Sequence, residues 1–254
     1  MIRFTKMHGL QNDFVVVDGP VDPSVELVRA MCHRRTGIGA DGLLAVSMSP
    51  NTGHVLMQYW NADGSEADMC GNGLRCVASY ARKIGLVGED AFIVDTPVGP
   101  RSVLIMGRDT VSVDLGPVSV GERFDLGERT WTTVDVGNPH VVTSVTSLDG
   151  VEVAVEGPRI ERDPMFPGGT NVEFARIEGD RIDMRVWERG VGETLACGTG
   201  MVAVAAAARA ADPSRTGWSV NVPGGRGQVR FEEEVAAWLT GPVATVFTGQ
   251  WDPQ

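Results

Sequence analysis

Lysine is almost missing from this chain. Of its 22 basic residues, 20 are arginine, leaving only Lys6 and Lys83. A pyridoxal enzyme needs a Schiff-base lysine in its pocket. Lys6 falls in an N-terminal strand pattern and Lys83 in the last turn of a helical one, so pyridoxal chemistry is not expected. Long apolar runs are also missing. None reaches 18 residues, so no membrane-spanning helix is expected. Residues 1–14, MIRFTKMHGLQNDF, lack the apolar region of a secretory signal. Positive charge is in deficit, with 33 acidic residues and a net charge of −11. That argues against nucleic acid and anionic membrane surfaces as partners, because both require a basic face. No CxxC occurs, and His8, His33, His54 and His140 form neither HxH nor HExxH, so no metal site is expected. Four cysteines do not staple a chain of 254 residues. They suit a reducing compartment, and a cytoplasmic location is the expectation.

Glycine, by contrast, is abundant: 32 residues, well above the usual share of about 7%. Many lie in clusters, at 37–42, 64–73, 167–171, 190–200 and 223–227. Between them run short β-branched segments at 14–18, 43–48, 92–96, 102–106, 110–115 and 140–145, which read as strands bounded by turns. Three stretches read as helices: 23–35, 74–85 ended by Gly85, and the alanine-rich 201–211, which is apolar nearly all round and so expected to be buried. The fold class is therefore α/β in the mixed α+β sense, with more strand than helix. The length permits one large domain or two medium ones, each able to bury a core.

The chain echoes itself. GSEADMCGNGLRCVASYA (64–81) resembles VGETLACGTGMVAVAAAA (191–208), with Cys70 and Cys197 standing 127 positions apart. GLQNDFVVVD (9–18) resembles VGNPHVVTSV (136–145), with Asn12 and Asn138 standing 126 apart. Two echoes at nearly one offset predict two similarly folded halves facing each other across a cleft. The expected division is residues 1–116, carrying Cys70, and 117–241, carrying Cys197, with residues 242–254 packing back onto the first half.

Each echo places Cys-Gly-x-Gly before a helix. A helix start offers unpaired N–H groups and partial positive charge, which favour a thiolate and can hold a carboxylate. The glycines let a ligand approach the backbone closely. Two such halves bring two sulfurs to one carbon: one thiolate removes a proton and one thiol supplies another from the opposite side. That is a two-base racemase or epimerase. Cys32 and Cys76 lie inside helical patterns, where cysteine commonly serves as a small buried hydrophobe. His140, in an NPH turn, reads either as a structural histidine or as a group that steadies a thiolate. Glu188 and Arg189 read either as a solvated charge pair or as site residues just ahead of Cys197. Asn12, Asn61, Asn72, Asn138 and Asn171 all lie in turn patterns, which asparagine favours anyway. As a set, they suit a polar, zwitterionic ligand. Asp41 reads as a turn or cap residue.

FTKMHGLQNDFVVVD (4–18), GIGADGLL (37–44), NADGSEADMCGNGLRC (61–76), GNPH (137–140), GTNVEF (169–174) and WERGVGETLACGTG (187–200) resemble, in order, the motif set of the diaminopimelate epimerase family. The resemblance implies two pseudo-symmetric halves, each a curled mixed sheet around a central helix. It implies interconversion of LL- and meso-diaminopimelate, in lysine and peptidoglycan-precursor synthesis, without pyridoxal, metal or nicotinamide. By it, Cys70 and Cys197 are the acid/base pair, and His140 and Glu188 support catalysis. Asn12, Asn61, Asn138 and Asn171, with Glu188 and Arg189, bind the small-molecule substrate, while Gly71, Asn72, Gly198 and Thr199 supply contacts at the helix starts. The family is usually homodimeric, and Phe247 matches its interface aromatic, although a core role fits an aromatic equally well. Gln11 stands where many relatives have glycine, and Gly42 where some have a longer polar residue. Three rival functions share these features: a racemase of another amino acid of the histidine or proline type, a cysteine hydrolase using His140, and a non-catalytic amino-acid binding protein.

Overall fold

A computed structural model describes residues 1–67, 69–232 and 236–253. The chain divides into two compact units: residues 1–113 together with the C-terminal segment from Gly241, and residues 114–240. The division thus falls inside the strand at 110–117, a few residues ahead of the expected join at 116/117.

The first unit contains β1 (Ile2–Gly9), β2 (Asn12–Asp18), α1 (Val25–Cys32), β3 (Gly42–Met48), β4 (Val55–Asn61), α2 (Gly71–Lys83), β5 (Ala91–Thr96), β6 (Gly99–Gly107), the start of β7 (Thr110–Pro117) and β17 (Ala244–Trp251). Its strands run β17-β1-β2-β3-β4-β5-β6-β7. Only β2–β3 and β4–β5 are parallel. The second contains β8 (Ser119–Leu126), β9 (Arg129–Asp135), β10 (Pro139–Ser144), α3 (Val153–Glu161), β11 (Asn171–Glu178), β12 (Arg181–Glu188), β13 (Gly192–Thr194), α4 (Gly198–Ala211), β14 (Gly217–Val222), β15 (Gly225–Glu232) and β16 (Ala236–Pro242). Its strands run β8-β9-β10-β11-β12-β14-β15-β16, and only β10–β11 and β12–β14 are parallel. The two units therefore share one strand order, one pattern of directions and one placement of helices in the parallel crossovers.

Each sheet curls round the second helix of its unit. α2 packs against β1, β2, β3, β4 and β6, and α4 against strands β8 to β12 and β14 and β15. A helix surrounded by strands has no solvent face, which is why Met201 to Ala206 are all buried and mostly small. Outside this layer, α1 and Trp60 close a cluster with Phe4, Val15, Val17 and Leu43 in the first unit. In the second, α3 contributes Val153 and Ile160 to a cluster with Trp131, Val172 and Phe174.

Three helix expectations need correction. The stretch 23–35 is helical only over Val25–Cys32, because Ser24 caps it by accepting the N–H of Leu27 and His33 is extended. α2 and α4 begin earlier than expected, at Gly71 and Gly198, immediately after the two cysteines. α3 is an additional helix. Gly157 and Pro158 lie within it, and a Cβ at Gly157 would lie 2.5 Å from the Trp187 side chain. Here glycine serves helix packing rather than helix termination. Among the described residues no helix is long and apolar enough to cross a membrane.

Candidate active site

Both cysteines are helix N-caps. Cys70 is extended (φ −144°, ψ 115°), and its Sγ accepts the N–H of Gly73 at 3.3 Å. Cys197 is extended in the same way (φ −115°, ψ 116°), and its Sγ accepts the N–H of Gly200 at 3.4 Å. An N-cap normally uses an oxygen for this bond. Here the sulfur is tied to the positive end of the helix. Gly71 and Gly198 are the first residues of the two helices, where backbone N–H groups have no intrahelical partner.

In the first unit, the Cys70 thiol donates to Asn12 Oδ1 at 3.4 Å, and Asn72 Nδ2 donates to the same oxygen at 3.3 Å. Asn12 sits just past the β1–β2 turn, where Leu10 and Gln11 hold φ of +53° and +67°. Gln11 thus occupies left-handed backbone that favours glycine, at a cost of roughly 1–2 kcal/mol. The amide nitrogen of Asn12 donates to Asp41 Oδ2 at 2.8 Å. Asp41 also accepts Arg34 Nη2 at 2.6 Å and the N–H of Asp13 at 3.1 Å. Asp41 is therefore more than a turn residue, because it decides which end of the Asn12 amide faces the sulfur. Asp41→Asn offers an amide in place of a pure acceptor and frees Asn12 to flip. A roughly tenfold loss in turnover is expected, with unchanged thermal stability by calorimetry. Full activity would show that the amide is oriented by something else.

Asp13 anchors this cluster. Burial works against its charge, but hydrogen bonds from Arg34 and Lys6 prevail and hold its pKa at about 2. Its folded value lies below its unfolded one, so its contribution to stability is present above about pH 4 and lost as pH falls through 2. By linkage it amounts to about 2 kcal/mol. Urea melts of wild type and Asp13→Asn should differ by about that much at pH 7 and converge near pH 2; parallel curves at both pH values would contradict the assignment. Lys6, buried in β1, is committed to this ion pair at 2.5 Å.

Beneath Cys70 lies Arg75, fully buried. Its Nη2 donates to Asn72 Oδ1 at 2.5 Å and its Nη1 to Gly71 O at 3.3 Å. Among the described residues no carboxylate pairs with it, and burial pulls its pKa down. The space it needs comes from Gly9 and Gly241, where a Cβ would sit 3.1 and 3.2 Å from the guanidinium. Asn72 is thereby turned inward, away from solvent. Asn61 ends β4 and donates to Ser65 Oγ at 3.0 Å. Gly42 faces it across β3–β4, and a Cβ there would lie 2.6 Å from Trp60 O, so a longer residue has no room.

In the second unit, Cys197 lies 3.5 Å from Thr199 Oγ1 and hydrogen-bonds Glu188, which ends β12 and also accepts Thr194 Oγ1. Asn138 Nδ2 donates to Thr199 Oγ1 at 3.4 Å, and Asn138 Oδ1 meets His140 Nε2 at 2.9 Å. The other ring nitrogen of His140 meets Glu173 Oε1 at 2.6 Å. Asn171 donates to Pro139 O at 2.9 Å and accepts the N–H of Arg189 at 3.0 Å. The Arg189 side chain is exposed and borders an open cavity of about 410 Å³ with Glu161, Phe166 and Gly169. A second cavity, about 300 Å³, is lined by Asn138, His140, Thr133 and Thr170.

The helix-start argument predicts a lowered thiol pKa, and at Cys197 this is wrong. Burial comes first and the charges of Glu188 and Glu173 second; together they push the thiol well above its ordinary value. A half-charge at a helix end does not offset full desolvation. Burial likewise raises Glu188 and Glu173. Cys32 and Cys76 are buried and also raised, Cys32 to about 11. Phe247, on β17, is half-exposed beside the equally open Val246 and stacks edge-on with Phe4 at 5.8 Å. Among the described residues no three His, Cys, Asp or Glu side chains are grouped so as to hold a metal ion.

Glu173 and Arg75 are site-shaping residues that sequence reasoning passed over, and Asp41 is one that it read only as a turn or cap residue. Each lies within a quoted motif, but nothing in a one-dimensional pattern marks an acid in a strand as buried.

The family model described as Diaminopimelate epimerase matches residues 4–121 and 132–246. A diaminopimelate epimerase of Desulforudis audaxviator is 42% identical over 98% of this chain and 99% of its own length. One of Thermobifida fusca is 42% identical over 98% and 97%. In fold the chain is similar to a PhzF-family phenazine biosynthesis protein of Bacillus anthracis, with TM-score 0.75 at 15% identity and 98% coverage of each chain. It is likewise similar to a probable proline racemase of Agrobacterium radiobacter, with TM-score 0.75 at 16% identity, covering 100% of this chain and 94% of the other.

Proposed function

The chain belongs to the diaminopimelate epimerase family, and on that premise we propose that it interconverts LL- and meso-2,6-diaminopimelate by proton exchange at one α-carbon, without a cofactor. The observation that carries the proposal is the matched pair of cysteine N-caps, each with its sulfur on the N–H of a Gly-x-Gly helix start. One sulfur, as thiolate, takes the α-proton. The other, as thiol, returns a proton to the opposite face, and the roles exchange with direction. An α-hydrogen next to a carboxylate is very weakly acidic, so the carbanion-like state needs preorganised donors. Backbone N–H groups of Gly71, Asn72, Gly198 and Thr199 supply them to the α-carboxylate.

Glu188, hydrogen-bonded to Cys197, accepts its proton density and helps generate the thiolate. Asn12, Asn61, Asn138 and Asn171, with Glu188 and Arg189, hold the ammonium and carboxylate groups of the substrate. We assign the enzyme to the cytoplasm, to lysine and peptidoglycan-precursor synthesis, and to a homodimer with Phe247 at the interface. Incubating the protein with LL-diaminopimelate in D2O should yield meso product carrying one α-deuterium. Absence of both inversion and exchange, with exchange on proline or histidine instead, would assign a different substrate.

A further inference from the structure

The two units match strand for strand, so their differences at matched positions are informative. In the first unit the β2–β3 ladder sets Phe14 against Gly42 and Val16 against Leu44. In the second the β10–β11 ladder sets His140 against Asn171 and Val142 against Glu173. His140 and Glu173 thus occupy the places of Phe14 and Leu44. The correspondence extends to the helix starts. A Cβ on Gly73 would meet Leu44 Cδ2 at 3.5 Å, and one on Gly200 would meet Glu173 Oε1 at 2.9 Å. One unit has an apolar pair under its cysteine-capped helix, and the other has an acid and a base, both fully buried.

A buried carboxylate is costly, and Glu173 is only half satisfied. Oε1 takes His140 Nδ1, while Oε2 is buried with no hydrogen-bond partner among the described residues. Packing does not require this, because leucine serves at the matched place. The hydrogen bonds leading away from the pair run in one direction. Asn138 Oδ1 can only accept, so Nε2 carries an N–H; with Nδ1–H on the Glu173 carboxylate as well, the ring acts as an imidazolium that donates from both nitrogens. The Asn138 amide nitrogen then faces Thr199 Oγ1 as donor. The Thr199 hydroxyl proton is left for Cys197 Sγ. In the first unit the matching asparagine is turned the other way and shows its carbonyl to the Cys70 sulfur.

We propose that Glu173 is a positioning residue: acting through His140, Asn138 and Thr199, it aims a hydroxyl donor at the sulfur of Cys197. The donor matters when Cys197 has given up its proton, since it receives the charge that burial alone would disfavour. The proposal rests on the two-cysteine reading above for its kinetic consequence, but not for its structural one.

The test uses Glu173→Gln and Glu173→Leu in the full chain, the second copying the residue of the matched unit. Nitrogen-15 NMR of the ligand-free protein should show the His140 Nδ1–H bonded to the carboxylate in wild type and lose that signature in Glu173→Leu. On LL- and meso-diaminopimelate, both variants should lose about 10- to 100-fold in kcat with KM within about threefold. The thermal midpoint should move little in Glu173→Gln, which keeps an acceptor for His140 Nδ1, and should fall in Glu173→Leu, which leaves that buried nitrogen unpaired. Thr199→Val should cost a similar amount, and Glu173→Leu combined with Thr199→Val should lose no more than the worse single variant. An unmoved His140 signature overturns the proposal even if diaminopimelate is not the substrate. So does additive loss in the double variant, or a kcat loss that tracks a fall in melting temperature in both Glu173 variants. A wild type inert toward diaminopimelate, with the His140 signature as expected, overturns the functional reading instead.

Discussion

Cys70→Ala and Cys197→Ala should each lower kcat for epimerisation by about 10⁴-fold or more, a loss of at least roughly 5 kcal/mol in transition-state stabilisation. The two losses should not add. Groups acting in one proton relay fail together, so the double variant should be about as inactive as either single one. The two variants should nevertheless differ in one respect. Each retains one sulfur and can exchange the α-hydrogen of a single stereoisomer, the one whose C–H bond points at that sulfur. In D2O, Cys70→Ala should wash deuterium into one isomer without inverting it, and Cys197→Ala into the other. Proton NMR at the α-position reads this directly. Retained epimerisation in either variant, or exchange into the same isomer in both, would be incompatible with one sulfur acting on each face. Alanine is the better probe than serine, because a serine hydroxyl at an N-cap still accepts the helix N–H and can relay water.

The largest effect on stability is expected at Trp131→Ala. Trp131 on β9 is fully buried, packs edge-on against Phe174 at 5.6 Å, and donates its indole N–H to Leu126 O at 3.2 Å. Truncation leaves a cavity and removes the indole hydrogen bond, at a cost of about 3–5 kcal/mol. Trp131→Phe keeps most of the volume and should cost less than half of that. Denaturant midpoints measured by circular dichroism decide the matter, and a loss below about 1 kcal/mol would mean that the site collapses around the gap. The site should feel the change as well. Phe174 follows Glu173 on β11, so a slack Trp131–Phe174 contact loosens the strand that carries the carboxylate to His140.

Much of the site was legible in the chain because its signals are local. A cysteine followed by glycine one and three residues later, ahead of an apolar helix, marks a helix-start loop, although the sequence did not show that each sulfur itself caps the helix. The 127-residue echo then pairs the two cysteines without reference to space. Strand positions were legible for the same reason, since β-branched runs between glycine turns need no partner to be recognised. Where a helix begins or survives was less so. Gly157 and Pro158 carry stop signals that hold only if nothing packs there, and the Trp187 side chain does. Glu173 alternates with Val172 and Phe174, a pattern that ordinarily turns the acid to solvent, yet all three are buried. Asp41 reads from sequence as a turn or cap residue and Arg75 drew no reading; their part in the site shows only in their hydrogen bonds to Asn12 and Asn72.

By itself, then, the sequence determined the mixed fold class, the repeat and the two cysteine-glycine loops ahead of helices, because each depends on residues close together in the chain. Only tertiary structure decided the direction in which the Cys197 thiol is shifted, the orientation of each asparagine amide and the asymmetry between Leu44 and Glu173. Those depend on desolvation and on which group lies across the gap, and both arise when segments remote in sequence exclude water together.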